Sequence, residues 1–154
     1  MSNSNEFEYV GFWSRVGASL LDTVIMMVII IPLMFWFYGD SYLSSSDSIL
    51  GLTDILLNYL FPFVAILIFW KYKSATPGKM AIKAIIVDAD TGEKPTTKQY
   101  IIRYLGYFVS SIPLFIGIMW VGWDSRKQGW HDKMANTVVI RPQDHGVEQV
   151  QFNS

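Results

Sequence analysis

Three long apolar runs set the pattern of this chain. Val16 to Phe37 is 22 residues with one ionisable group, Asp22, and at about 1.5 Å per residue it reaches roughly 33 Å. Ile55 to Trp70 is entered by Asp54 and left through Lys71 and Lys73. Ile101 to Trp123 carries Arg103 near its start and is interrupted around Ser110, Ser111 and Pro113. A helix packed in a soluble protein of this size is normally apolar along one stripe only. These runs are apolar all round, and the remaining polar chain is too short to cover three of them. The pattern therefore predicts an all-α helical integral membrane protein, with transmembrane segments over 16–37, 55–70 and 101–123.

Loop charges orient the chain. The loop from Tyr38 to Asp54 holds Asp40, Asp47 and Asp54 and no Lys or Arg, whereas Lys71 to Gln99 holds six lysines. Basic residues are retained on the cytoplasmic side. The N-terminus and the Lys-rich loop are thus expected inside and Ser44–Ser48 outside, in a multi-pass protein of the cell membrane. The third run has two readings. A single crossing would leave Arg126, Lys127, Lys133 and Arg141 outside, against the charge rule; a fold at Ser110–Pro113 would bring the tail back inside as a broken or re-entrant segment. The second agrees with a pairing of Met80–Asp88 and Thr137–Ile140, which read as strands. Asp90-Thr91-Gly92 would turn the chain after the first of them. The fold class expected is two full transmembrane helices plus the broken segment, with a small cytoplasmic β-hairpin.

Composition narrows the function classes. The chain is 51% hydrophobic and 16% charged, against about 25% charged in soluble domains. Trp13, Trp36, Tyr38, Trp70, Tyr72, Tyr100, Trp120 and Trp123 lie at run ends, as interfacial belt residues do. A net charge of −1 gives no field for nucleic acid, and without Cys there is no thiolate metal site or disulfide. The start lacks the basic n-region of a cleaved signal peptide. Boundaries are expected at 1–12 for a cytoplasmic N-terminal tail, 13–141 for the membrane domain and 142–154 for a polar C-terminal tail.

Candidate chemistry lies in the ionisable groups. Asp22 sits about 10 Å into the first helix below Arg15, seven residues away on the same face. An Asp at a helix centre costs about 2.5–3.5 kcal/mol on insertion scales, so it should face a partner or water. It reads either as polar glue between helices or as a site on an ion or proton path. Arg15 is too far along the axis to reach it and also reads as an interface anchor, which leaves Arg103 as the candidate partner of Asp22. Gly78-Lys79 lacks the spacing and Ser/Thr of a phosphate loop. His131-Asp132 has no further ligands for a metal, though an imidazole titrating near 6.5 could sense pH. The lysine loop could bind anionic headgroups, and it is equally a topology determinant. Nothing points to an enzyme or a cofactor.

Three blocks in order carry a resemblance. Gly11-Phe12-Trp13-x-Arg15 followed by Asp22 is the first. Thr76-Pro77-Gly78-Lys79 with Ala84-Ile85-Ile86-Val87-Asp88 and Gly92 is the second. Asp124-Ser125-Arg126-Lys127-Gln128-Gly129-Trp130-His131-Asp132-Lys133 with Thr137-Val138-Val139 is the third. Together, over residues 11 to 140, they resemble the RDD family of membrane proteins, named for one Arg and two Asp. The resemblance implies that these are Arg15, Asp22 and Asp132, with Asp124 as the alternative for the last. It also implies a membrane transport protein, and exchange of a monovalent cation such as Na+ for H+ is an activity described in the family. The expected charge network is Arg15, Asp22, Arg103, Asp132, Asp124 and His131. The alternative is a non-transporting accessory or assembly subunit whose charged triad is structural. So short a chain encloses little of a path, so a homo-oligomer or a partner membrane subunit is expected.

Overall fold

The structure, a computed structural model, describes residues 7–47 and 49–143. Helix α1 covers Phe12–Tyr38, 27 residues or about 40 Å. It stops at Gly39, whose φ of 54° is cheap only without a Cβ. A single turn, α2 (Ser41–Ser44), follows. The second apolar stretch, Leu52–Ala81, is built from α3 (Leu52–Ile55), a π-helical turn at Leu56–Leu60, α4 (Phe61–Lys73) and α5 (Pro77–Ala81). This stretch and α1 are both long and apolar enough to cross a bilayer.

The third run is not a straight helix. α6 (Thr97–Ser111) starts at a capping box in which Thr96 and Gln99 bond each other's backbone N–H. Its 15 residues reach about 22 Å, short of the roughly 30 Å hydrocarbon core. Leu114 and Phe115 then take φ of 52° and 62°, and α7 (Ile116–Met119) with the 3₁₀ turn Trp120–Gly122 leaves at 115° to α6. Gly117 lies so close to Ser110 that a Cβ there would come within 2.7 Å of the Ser110 Cα. The run therefore folds back on itself, as the returning reading expects. After it, α8 (Trp130–Ala135) packs across α6, where Gly106 leaves room for the His131 backbone.

The strands join both ends of this return. β1 (Phe7–Tyr9), β2 (Ile85–Asp88) and β3 (Thr137–Pro142) form an antiparallel sheet in the order β1-β3-β2. Val87 pairs with Val138 and Glu8 with Arg141. The expected hairpin is thus a three-stranded sheet. Residues 7–9, read as part of a tail, cover the free edge of β3, and Glu8 accepts a hydrogen bond from Arg141 at 2.5 Å. The expected strand from Met80 begins only at Ile85. Pro77 at the first helical position starts a helix that takes Met80 and Ala81, and Lys83 turns the chain at φ 56°. Val10, Ile86, Val139, Trp70 and Tyr100 share one buried core, so the sheet is fastened beneath the helices.

Asp90-Thr91-Gly92 turns the chain as expected. The Asp88 carboxylate accepts from the N–H of Thr91 and Asp90, each at 2.9 Å, and from Gln99. The Thr91 N–H, then Gln99, then the Asp90 N–H hold its pKa down to about 2. Ser48 in the expected outer loop, residues 1–6 and most of the expected 142–154 tail lie outside the described residues.

Candidate functional site

Two carboxylates organise the interior. Asp132, fully buried in the first turn of α8, is one. Its Oδ2 accepts from Arg15 Nη1 at 2.6 Å and from the Gly129 N–H at 3.0 Å, and its Oδ1 accepts from Arg103 Nη1. Arg15 also donates to the carbonyls of Val10 (2.9 Å) and Lys127 (2.6 Å). Arg103 donates to Thr137 Oγ1 at 2.8 Å, and its guanidinium lies over the rings of Trp70 and Tyr107 at 5.6 and 5.7 Å. One carboxylate thus joins α1, α6, α8 and the start of β3. Bonds of this kind are charge-assisted and dry, which makes the cluster costly to disrupt rather than easy to titrate.

Asp22 is the second carboxylate, and here the structure corrects the sequence reading. Arg103 is not its partner, because that guanidinium is held by Asp132. Asp22 instead accepts from Thr76 Oγ1 at 2.5 Å and from the Gly78 N–H at 2.7 Å. Both donors are neutral, and no cation of the described residues lies within 4.0 Å of it. The approach depends on Gly78. A Cβ there would run into the Ala18 carbonyl and come within 3.0 Å of the Asp22 Cγ, so only glycine lets α5 lie against α1. Asp22 borders two cavities of about 290 and 210 Å³, the first shared with Lys79 and Tyr107 and the second with Phe61 and Phe69.

The remaining expected residues divide. His131 is buried and stacked on Tyr107 at 4.0 Å, with its Nε2 3.4 Å from Asp132. Neither ring nitrogen has a hydrogen-bond partner among the described residues. Burial first, then the charges of Arg103, Arg15 and Lys79, push its pKa well below the usual 6.5. Asp124 stands apart from the network. It accepts from the N–H of Arg126 and Gln128 and pairs with Lys133 at 2.6 Å. The hydrogen bond and charge of Lys133, with the N–H groups of Gln128 and Arg126, hold its carboxyl below the usual range, and Asp132 rather than Asp124 meets the arginines.

Two buried charged residues, one in the site and one remote from it, escaped sequence reasoning. Lys79 reads as one lysine among six in a polar loop, yet it is 5% exposed beside Tyr107. Pro77 at the head of a short helical pattern was the available signal. Asp54 marks the far end of α1 as a buried carboxylate bonded to Asn58 at 2.5 Å and to the Leu50 N–H. Among the described residues no three His, Asp or Glu side chains are gathered as metal ligands.

Comparison with known proteins gives a consistent picture. The sequence profile described as the RDD family matches residues 9–136. The chain is 32% identical to uncharacterized protein RP437 of Rickettsia prowazekii (strain Madrid E), over 86% of this chain and 96% of that one. It is 30% identical to a proline-rich antigen homolog of Mycobacterium tuberculosis (strain H37Rv) over 63 residues, 41% of this chain and 26% of that protein. No solved structure matches.

Proposed function

The chain belongs to the RDD family, and from that premise we propose that it is a multi-pass protein of the cell membrane that exchanges a monovalent cation for protons, with Asp22 as the carboxylate that binds either. The observation that carries this reading is the setting of Asp22: two neutral donors, no cationic partner within ion-pair distance and a cavity on each side. A carboxylate neutralised by a fixed arginine has no need of a mobile ion. One held only by a hydroxyl and an N–H has no fixed counter-ion in contact, which leaves that place to a mobile ion. The membrane setting is supported by the two apolar stretches and by the exposure of Val28, Trp36 and Leu52 at 69%, 80% and 72%. The pairing of β1, β2 and β3 in one sheet supports a third run that returns to its starting side, and the lysine-rich segment supports reading that side as cytoplasmic.

A second reading has its own observation. Thr76 and Gly78 open α5, so Asp22 also fastens that helix to α1, as a structural subunit would require. Asp22→Asn separates the two. The amide oxygen can still accept from Gly78 and the amide nitrogen can donate to Thr76, so the fold should persist. Cation-dependent proton movement in proteoliposomes should vanish. Exchange at the normal rate in a folded Asn variant would leave Asp22 as a fastening alone.

A further inference from the structure

The six lysines of the Lys71–Gln99 segment are not equivalent. Five lie at the surface or carry exposed ammonium groups, while Lys79 is folded between α1 and α6 by the contact of α5 with α1. No acceptor among the described residues lies within hydrogen-bond or ion-pair distance of its ammonium. The surrounding charges do not balance it. Arg15, Arg103 and Lys79 face Asp22 and Asp132, and Asp132 is already shared by the two arginines. Asp22 attracts the Lys79 ammonium from beyond ion-pair distance, yet three cations still face two carboxylates in a low-dielectric setting, so one net positive charge there calls for an anion.

The space around Lys79 says what kind. A cavity of about 340 Å³ reaches from Arg15, Lys79, Tyr107 and His131 along α1 to Leu20 and Thr23. From Arg15 to Thr23 is eight residues, or about 12 Å of helix. The charged groups, Arg15 and Lys79, lie at one end with Tyr107 and His131; Val16, Leu20, Ile118 and Val121 give the rest a mostly apolar wall, in which the Thr23 hydroxyl is already bonded to the Ser19 carbonyl. The cavity opens beside Leu20, which is 63% exposed on the apolar face of α1. A free inorganic anion would use only the polar end.

We propose that this cavity binds one anionic amphiphile from the cytoplasmic leaflet, its phosphate on Lys79 and Arg15 and an acyl chain along Val16 and Leu20 toward Ile118. Charge complementarity selects the head, and the apolar groove selects the tail. The proposal rests on the membrane reading above and not on ion exchange.

Native mass spectrometry of the full chain in uncharged detergent tests it, with dioleoyl phosphatidylglycerol, dioleoyl phosphatidylcholine and inorganic phosphate as probes. One phosphatidylglycerol per chain should be retained, at least tenfold more tightly than phosphatidylcholine, and excess phosphate should not displace it. Lys79→Met should remove that preference and Lys79→Arg should keep it, while the exposed Lys83→Met should change nothing. If Lys79→Met does not fold, Leu20→Trp, which fills the tail groove from an exposed position, should weaken retention several-fold. Equal retention of both lipids, displacement by phosphate, an effect of Lys83→Met equal to that of Lys79→Met, or indifference to Leu20→Trp would each overturn it. Asp22→Asn should retain the lipid even where exchange is lost, so the two proposals fail separately. A chain soluble without detergent would end both.

Discussion

Asp132 and Asp22 are the same side chain in the same domain, and their surroundings make them opposites. Asp132 has no exposed surface and is held by two guanidiniums and an N–H. Asp22 is half-buried, held by one hydroxyl and one N–H, and bordered by cavities. The first arrangement fixes a charge in place and closes the ends of α1, α6 and α8. The second leaves a charge with no cation of the described residues in contact. A carboxylate in a membrane domain is thus informative only together with what neutralises it.

The largest effect should come from breaking the rigid member of the pair. Asp132→Ala leaves Arg15 and Arg103 buried without a counter-charge, and removing one partner of a buried ion pair typically costs about 3–5 kcal/mol. Thermal unfolding in detergent should show a loss of at least that order, or no folded protein. The charge swap Arg15→Asp with Asp132→Arg should not restore it, because the new arginine would face Arg103. Recovery to near wild type would mean that Arg103 is not part of the cluster.

Asp22→Asn tests the contrast from the other side. It exchanges a carboxylate for an amide that can keep both hydrogen bonds, so the stability cost should be about 1 kcal/mol or less. A loss as large as that of Asp132→Ala would erase the distinction between the two sites.

His131 sharpens the picture of the dry side. Its folded pKa is depressed, so the unfolded chain takes up a proton below about 6.5 that the folded chain refuses. Stability contributed by the neutral imidazole is present above pH 6.5 and should fall as the pH drops below it. His131→Phe, which keeps the stack on Tyr107, should flatten that limb of the melting curve between pH 7.5 and 5.5. Identical limbs with and without the histidine would place the imidazole in water.

The smallest effect belongs to Asp88, a carboxylate at the end of β2 outside both sites. Its folded pKa of about 2 lies below the ordinary 3.8, so its contribution is present above pH 4 and lost as the pH falls toward 2. Solvent screening keeps the contribution under about 1 kcal/mol. Asp88→Ala should speed amide exchange at Asp90 and Thr91 at neutral pH and leave the melting temperature nearly unchanged.

How much of this was legible in the sequence depended on whether the information was local. Length and unbroken apolarity identify the apolar stretches, and the Ser110–Pro113 interruption marks where the third folds back. Asp90-Thr91-Gly92 and Thr137–Ile140 also read correctly, because a turn and a strand follow from neighbouring residues. The contact of Arg15 with Asp132 was reachable only through the resemblance, since 117 residues separate them. Strand β1 was missed because three residues make a strand only when an edge is waiting for them.

By itself, then, the sequence determined the apolar stretches, the fold-back of the third, the charge asymmetry and the turn chemistry. Tertiary structure alone decided which charges meet. Arg103 went to Asp132 rather than Asp22 because Gly106 lets α8 settle onto α6, and Lys79 left its loop because Gly78 lets α5 lie on Ala18. Such pairings turn on contacts between residues distant in the chain, where one Cβ would prevent the approach. No period in the sequence encodes a distance of that kind.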